Sequence, residues 1–386
     1  MDTHSVTEFA RELDRAHASH RAGTFSRRRF PPETLLEALG EIVKKGAGCL
    51  SMASAGGSFE GRPINVVNAG SGMTRVLVWS QMHGDESTGT MAVADILNYL
   101  SRTQRERTTR ELLSGLTLSF VPMLNPDGAS RFQRRTAQLI DMNRDALALS
   151  TPEARVLRRL RDELKPQFAF NLHDQELSTV GSSPVLTAIA LLAPAFDAER
   201  SDNDVRVRAK HLAACFATAL NASARGRIAR YDDAFEPRAF GDTMQQSGTS
   251  TLLVESGHAA GDPEKESLRR MNFVGILSCC YAIAAGGCGS FDRSAYEDLP
   301  MNGKRAYDLI IRGIRIDHGN GALTPADIAV SYQVDTHSGP DPVLIDIGDL
   351  RTFTGLREID GKGKAVDRSL LEPGKTFAWE EIFGIR

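Results

Sequence analysis

Short apolar runs alternate with amphipathic segments along most of the chain. The predicted strands are Ala47–Ala53, Arg62–Asn68, Thr74–Ser80, Leu116–Met123, Phe168–Leu172 and Thr251–Glu255, with Val185–Leu192 as a further candidate. Several of these are nearly continuous apolar runs, which are typical of strands buried on both faces of a sheet. The predicted helices are Pro31–Lys45, Gly89–Leu100, Pro152–Leu164, Asn203–Leu220 and Ser267–Ala285. This alternation predicts an α/β fold, with helices on both faces of a mainly parallel sheet.

The pattern changes after about Gly286. Short β-like runs split by Gly, Pro, Asp and Asn follow from Tyr307 onward. We therefore predict a helical and loop extension over residues 1–30, an α/β domain over 31–288, and a small β-rich accessory domain over 300–386.

Composition and charge exclude several classes of protein. Among the 386 residues, 41% are hydrophobic and 25% are charged, which is close to the average of globular domains. A net charge of −3 lacks the basic excess of a nucleic-acid-binding protein. Five cysteines form no disulfide framework and favour a reducing compartment. Because neither a signal peptide nor a membrane-spanning run is visible, we expect a cytoplasmic protein without nucleic-acid or membrane partners.

Three candidate metal ligands occur at predicted strand ends. His83 and Glu86 follow the strand at Thr74–Ser80, and His173 follows the strand at Phe168–Leu172. Imidazole and carboxylate groups are ordinary zinc ligands, and two histidines with one glutamate leave a coordination position open for water. The alternative for His173 alone is a polar residue that is simply satisfied at a strand end.

A carboxylate ends the very apolar strand at Thr251–Glu255. Burying a carboxylate in such surroundings is costly unless it has a task. Glu255 is therefore a candidate general base, which takes a proton from a water molecule and passes it to a leaving nitrogen. The alternative is a carboxylate exposed at the start of a loop.

The segment DMNRD contains groups suited to an anionic substrate. Arg144 beside Asn143 can bind a carboxylate, since a guanidinium forms two parallel hydrogen bonds with it. Asp141 is a candidate to orient a ligand histidine. Upstream, Arg134 or Arg135 is placed to polarise a carbonyl group, although such an arginine pair is more often solvated.

Five motifs occur in the order HGDE, PMLNPDG, DMNRD, NLHD and LLVESG. Together they resemble the zinc carboxypeptidase superfamily (M14, carboxypeptidase A-like) over roughly residues 35 to 285, about two thirds of the chain. The fold of that family, a mixed twisted sheet between helices, agrees with the predicted elements. The resemblance implies the following roles: zinc ligands His83, Glu86 and His173; catalytic base Glu255; carbonyl-polarising Arg134; carboxylate-binding Asn143 and Arg144; and Asp141 behind His83.

Two further substrate contacts follow from the resemblance. Tyr231 is the nearest candidate for the family's mobile tyrosine that covers the substrate. Asp242 stands about where family members form the side-chain pocket, and an acid there favours a basic substrate group, although Gly241 is an alternative for that position. The segment between NPDG and DMNRD is shorter than in digestive carboxypeptidases and more similar to that of bacterial members that cleave cell-wall or γ-glutamyl peptides.

These observations predict a zinc-dependent metallocarboxypeptidase. Its partner would be a peptide or an acylated amino acid with a free carboxylate. One alternative is a zinc amidase or deacylase of small N-acyl amino acids that uses the same residues. A second alternative is a non-catalytic protein that binds a carboxylate or a peptide.

Overall fold

The computed structural model describes residues 3–335 and 339–384, and these divide into two compact units. The larger unit contains the described residues up to Gln175, together with Ala188–Gly257 and Glu264–Met301. The smaller unit contains Glu176–Thr187, His258–Pro263 and the described residues from Asn302 onward. Two segments of the predicted 31–288 domain thus belong to the smaller unit, and the predicted domain boundaries stay a prediction.

The helices lie mainly in the larger unit. In chain order they are α1 (Thr3–His20), α2 (Pro32–Lys45), α3 (Thr88–Thr103), α4 (Arg107–Gly115), α5 (Pro126–Arg131), α6 (Pro152–Leu164), α7 (Asp204–Ala219), α8 (Phe240–Gln246), α9 (Glu266–Ala284), α10 (Ser294–Glu297) and, in the smaller unit, α11 (Trp379–Phe383). In the part of the chain that the structure describes, no helix is both long and apolar enough to cross a membrane.

The strands are divided between the two units. In chain order they are β1 (Leu50–Gly57), β2 (Pro63–Ala69), β3 (Thr74–Ser80), β4 (Leu116–Val121), β5 (Phe168–Asp174), β6 (Thr179–Val180), β7 (Ile189–Leu192), β8 (Ile228–Arg230), β9 (Ser250–Ser256), β10 (Asn302–Gly303), β11 (Ala306–Asp317), β12 (Leu323–Asp335), β13 (Gly339–Gly348), β14 (Thr354–Asp360) and β15 (Ala365–Asp367). Strands β6 and β10–β15 belong to the smaller unit.

An eight-stranded mixed sheet with the order β1-β2-β4-β3-β5-β9-β7-β8 runs through the larger unit. Strand β3 is parallel to β4 and β5, and β5 is parallel to β9. Strand β7 is antiparallel to β9, and β2 is antiparallel to both of its neighbours. Because β3, β5 and β9 are parallel neighbours, their carboxyl ends lie together at one edge of the sheet, where ligands bind in open α/β folds.

Apolar side chains cover both faces of this sheet. Val76 and Val78 of β3 belong to one core, to which α3 and α9 contribute, whereas Leu77 and Trp79 belong to a second core with α6 and α8. Successive side chains of a strand point to opposite faces, so the continuous apolar run of β3 serves both cores. The predicted α/β fold, a mixed sheet between helices, is confirmed.

The N-terminal helix α1 is joined to the larger unit through a buried charge on α3. The carboxylate of Asp95 lies 2.8 Å from Nε2 of His17 and accepts hydrogen bonds from the Ala22 backbone at 2.7 Å and from Arg269 at 2.6 and 2.7 Å. Asp95 and Arg269 are fully buried. A buried charge of this kind is tolerated because it is paired and hydrogen-bonded on several sides.

The smaller unit is rich in β-structure, as the sequence predicted. Strand β11 is antiparallel to β12 and parallel to β14 and β15, and β12 is antiparallel to β13. Its core contains Ile311, Val330, Phe377 and Trp379. The short strands β6 and β10 form a separate antiparallel pair.

Candidate active site

The loop between β3 and α3 is held in one conformation by local contacts. Gln81 has a φ of 52°, which non-glycine residues rarely adopt, and its side chain donates to the carbonyl of Gly84 and accepts from Thr90. A Cβ atom at Gly84 would lie 2.0 Å from the carbonyl carbon of Gly128, so this close approach requires glycine. The loop conformation brings Glu86 to the carboxyl end of β5.

His83, Glu86 and His173 converge in this region. Nδ1 of His83 lies 2.8 Å from Oε1 of Glu86, and Nδ1 of His173 lies 2.7 Å from Oε2. One potential ligand atom from each of the three residues lies within 4.8 Å of the other two. All three side chains are buried. The three residues predicted as metal ligands are therefore brought to one point.

The hydrogen-bonding chemistry of this group fits a divalent cation. Burial alone would raise the pKa of Asp141, but the hydrogen bond and charge of His83 hold that pKa well below its usual range. The ionised carboxylate of Asp141 therefore accepts a hydrogen bond from the Nε2–H group of His83 at 3.0 Å. This bond leaves Nδ1 of His83 facing the carboxylate of Glu86, so a proton or a cation must lie between the two. Two imidazoles and a carboxylate around one point form a donor set typical of zinc.

The charges of His83, Glu86 and His173 shift one another's pKa values. Burial would lower the pKa of His83, but the charge of Glu86 and the hydrogen bond with Asp141 outweigh it and raise the pKa to about 9. Burial would raise the pKa of Glu86, but the charges of His83 and His173 hold it far below its usual value. Burial lowers the pKa of His173, and Nε2 of this residue is buried without a hydrogen-bond partner. Glu86 therefore stays ionised, and its negative charge favours the binding of a cation between the three side chains.

Arg134 reaches this group and Arg135 does not. Nη1 of Arg134 donates to Oε1 of Glu86 at 3.0 Å, while its Nε and Nη2 donate to Oδ2 of Asp141 at 3.2 and 3.1 Å. Arg135 instead donates to the backbone carbonyl of Leu139 at 3.1 Å. The choice between the two arginines, which the motif left open, is therefore in favour of Arg134 on position.

Glu255 stands beside His173 in the sheet. The two residues are partners in the register of the parallel strands β5 and β9. The Glu255 side chain is buried, and its Oε2 has no hydrogen-bond partner. Burial and the charge of Glu86 raise the pKa of Glu255 well above its usual value. A cation bound beside Glu86 would offset the negative charge there and favour the ionised form of Glu255, which a general base requires.

The predicted carboxylate-binding residues occupy a short 3₁₀ turn at Met142–Arg144. Asp141 caps this turn, because its Oδ1 accepts from the Asn143 backbone at 2.9 Å. Oδ1 of Asn143 accepts from the Phe240 backbone at 3.0 Å and so fixes the start of α8. The Arg144 side chain is 41% exposed, and its Nε lies 3.7 Å from Glu236. Its Nη1 donates to the carbonyl of Asn143 at 2.8 Å. Arg144 therefore keeps some of its donors for another ligand.

Asp242 and Tyr231 differ in their positions. Asp242 lies in the first turn of α8, is buried, and accepts a hydrogen bond from the Glu236 backbone at 3.1 Å. Its burial raises the pKa of the carboxyl to about 7. Tyr231 directly follows the edge strand β8 and is 37% exposed. Strand β7 separates β8 from β9, so Tyr231 follows a strand away from the three central ones.

The sequence analysis missed two residues that support the group. The backbone N–H of Asp174 donates to Oε2 of Glu86 at 3.2 Å, and its carboxylate accepts from Thr88 at 2.7 Å and from Lys265 at 3.3 Å. Lys265 is buried, with only 3% of its surface exposed. Asp174 stands in the NLHD motif next to His173, which was a usable signal, whereas no motif includes Lys265.

Comparisons with known sequences point to one family. A family model described as zinc carboxypeptidase matches residues 35–177. Carboxypeptidase 2 of Trichophyton rubrum is 31% identical over 271 residues, covering 65% of this chain and 46% of the fungal protein. Probable carboxypeptidase 2 of Arthroderma benhamiae is 30% identical over 268 residues, covering 65% and 48%. The chain thus spans about half the length of these curated relatives.

Solved structures share the fold of about two thirds of the chain. A metallo-carboxypeptidase from Burkholderia cenocepacia has a TM-score of 0.54 and 18% identity, covering 67% of this chain and 70% of that chain. A metallo-carboxypeptidase from Pseudomonas aeruginosa, in complex with (2-guanidinoethylmercapto)succinic acid, has a TM-score of 0.54 and 15% identity, covering 66% and 69%. At these identities the likeness concerns the fold.

Proposed function

Because the chain belongs to the zinc carboxypeptidase superfamily, we propose that it is a zinc-dependent metallocarboxypeptidase. It hydrolyses the last amide bond of a peptide with a free carboxylate, a class that includes γ-glutamyl and cell-wall-type peptides. The observation that carries the proposal is the convergence of His83, Glu86 and His173 beside Glu255 at the carboxyl ends of parallel strands.

The three converging residues would hold the metal ion. His83 and His173 offer their Nδ1 atoms, and Glu86 offers its carboxylate. Asp141 fixes the orientation of His83 through the Nε2 proton, as carboxylates commonly do for ligand histidines. A zinc ion bound there would polarise the scissile carbonyl and make a water molecule more acidic.

Glu255 moves the proton in this mechanism. Its carboxylate takes a proton from the attacking water and delivers it to the nitrogen of the leaving amino acid. Burial and the charge of Glu86 raise the pKa of Glu255, so the proton is held between these two steps. Arg134, whose guanidinium is 46% exposed beside Glu86, supplies hydrogen bonds to the oxygen on which negative charge develops.

The remaining residues bind the substrate. Arg144 and Asn143 anchor the C-terminal carboxylate, and a guanidinium with spare donors suits this role. Asp242 lines the pocket for the side chain of the released residue, and Tyr231 covers the substrate. The compound in complex with the Pseudomonas aeruginosa neighbour is a succinic acid with a guanidino group, and we propose that this chain also binds a carboxylate.

A direct test compares three classes of substrate on the zinc-loaded protein. We expect release of the C-terminal amino acid from free peptides and none from peptides whose C-terminus is amidated. Activity should disappear with a chelator and return with zinc. Hydrolysis confined to small N-acyl amino acids would contradict the proposal and support a deacylase, and binding without hydrolysis would support a non-catalytic protein.

The anchoring role is tested by Arg144→Gln. Loss of a charge-assisted pair at the carboxylate should raise KM by about 10- to 100-fold, with a smaller change in kcat. Arg135→Gln is the matched control, because Arg135 contacts only a nearby carbonyl in the described interactions. Equal effects of the two variants would contradict the assignment of Arg144.

A further inference from the structure

Asn171 is a buried amide whose polar atoms are both left without partners. It lies in the middle of β5 and is 0% exposed. Neither Oδ1 nor Nδ2 has a hydrogen-bond partner. An unpaired buried donor and acceptor cost folding free energy, and an apolar residue of the same shape would avoid that cost. The unpaired amide therefore calls for an explanation beyond packing.

The position of Asn171 relates it to the reacting groups. It precedes His173 by two residues, so both side chains point to the same face of the sheet. Its partner in the strand register is Leu253 of β9, which in turn precedes Glu255 by two residues. Asn171 therefore lies on the same face of the sheet as His173 and Glu255, and it is two residues farther from the carboxyl end of its strand than His173 is.

The first turn of α8 stands opposite this amide. A Cβ atom placed at Gly241 would lie 3.8 Å from Nδ2 of Asn171, so the helix backbone comes close to the amide where it has no side chain. The start of the same helix is fixed by Asn143, one of the two residues proposed to bind the substrate carboxylate.

We propose that Asn171 is a specificity-determining residue, which selects a carboxamide side chain (Asn or Gln) on the amino acid that is released. This inference rests on the proposed carboxypeptidase function. The free amide offers one acceptor and two donors, and a second carboxamide pairs with it reciprocally. An aliphatic side chain leaves both groups unpaired, and a cationic one satisfies only the acceptor.

The test uses N-acylated dipeptides that differ only in the last residue. For the zinc-loaded protein, kcat/KM should be highest for Gln or Asn, about 10-fold or more above Leu and Lys. Asn171→Leu should lower kcat/KM for the carboxamide substrates by about 10- to 100-fold and raise it for the Leu substrate. The variant should bind zinc as the parent does, and it should unfold at the same or a higher temperature, because an unpaired amide is removed.

A second variant changes α8 and leaves the residues of the sheet unchanged. Gly241→Ala puts a methyl group 3.2 Å from Cγ of Pro194 and 3.8 Å from Nδ2 of Asn171. The backbone conformation of Gly241 is one that alanine adopts. It should lower kcat/KM for the Gln substrate more than for a substrate ending in Gly. Together the two variants test both walls of the proposed pocket.

The other possible results of these experiments contradict different parts of the proposal. A preference for Leu that Asn171→Leu leaves unchanged would overturn the role of Asn171, and a preference for Lys would overturn it in favour of Asp242. An equal loss for all substrates together with a lower unfolding temperature would show a structural role and overturn the inference. The absence of any C-terminal release by the parent protein would refute the proposed function itself, which separates the two failures.

Discussion

Two charged side chains of the candidate site, Glu86 at its metal end and Arg144 at its substrate end, differ in how completely they are paired. At the metal end, Oε1 of Glu86 contacts His83 and Arg134, and Oε2 contacts His173 and the Asp174 backbone. At the substrate end, Arg144 has one weak ion pair with Glu236 at 3.7 Å, and it is 41% exposed. Both oxygens of Glu86 are thus paired, whereas Arg144 keeps donors for a ligand beyond its contacts with Glu236 and the Asn143 carbonyl.

The difference follows from the elements that form each end. The metal end is built from the ends of central parallel strands and from a loop held by Gln81 and Gly84. The substrate end is built from a 3₁₀ turn and from α8, which is only seven residues long. Reacting groups need a fixed geometry before the substrate arrives. Binding groups need free donors and acceptors, which the substrate then satisfies.

The largest effect on activity is expected when the proposed proton carrier at the metal end is removed. Glu255→Gln keeps the size of the side chain but cannot accept a proton, so kcat should fall by about 10²- to 10⁴-fold. Metal content and KM should change little, since Glu255 is not one of the proposed ligands. Steady-state kinetics with metal analysis on the same sample measures both. An active Glu255→Gln variant with normal zinc content would exclude Glu255 as the base.

A smaller effect is expected when the carboxylate that orients a proposed metal ligand is removed. Asp141→Asn removes the carboxylate that accepts from His83 and Arg134, and zinc affinity should fall by about 10- to 100-fold. Competition with a chelator measures the affinity. The control is Asp162→Asn on α6, an exposed carboxylate that pairs with arginines of its own helix. Similar zinc affinities for the two variants would show that the metal end does not depend on its supporting carboxylate.

Much of the fold was predictable because local patterns determine it. The strand at Thr74–Ser80 and the helix at Pro152–Leu164 were predicted with their observed limits, since the first is a nearly continuous apolar run and the second is amphipathic. Helix α8 was not predicted. It is short and contains a glycine, and its first backbone N–H is bound by Asn143, which lies 97 residues away in the sequence. Long-range caps of this kind leave no local signal.

The candidate site was predictable to a similar degree. The residues of the HGDE and NLHD motifs meet because β3 and β5 are parallel neighbours, which the alternation of strands and helices already indicated. The roles of these residues stay a prediction. The choice between Arg134 and Arg135 needed the three-dimensional course of the loop. The unpaired state of Asn171 depends on β9 and α8, so the sequence of β5 alone carried no sign of it.

The last prediction concerns stability rather than activity and follows from the buried carboxyl group of Asp242 at the substrate end. Burial raises the pKa of Asp242 to about 7, well above its usual value near 3.8, although the backbone hydrogen bond from Glu236 lowers it. The folded state therefore binds this proton more tightly than the unfolded state. The free energy of unfolding falls as pH rises from about 4 through 7, and this loss is complete above the folded pKa.

Asp242→Asn removes this ionisation and keeps an oxygen for the Glu236 N–H. The variant should match the parent near pH 4 and exceed it above pH 8 by on the order of 4 kcal/mol in unfolding free energy. Thermal unfolding of both proteins at pH 5 and pH 8 measures the change in their difference. Asp162→Asn, whose parent carboxylate has a lowered pKa and is ionised at both pH values, should show a constant difference. A constant difference for Asp242→Asn as well would mean that Asp242 titrates normally, and the contrast between the two ends would then rest on Arg144 and Asn171 alone.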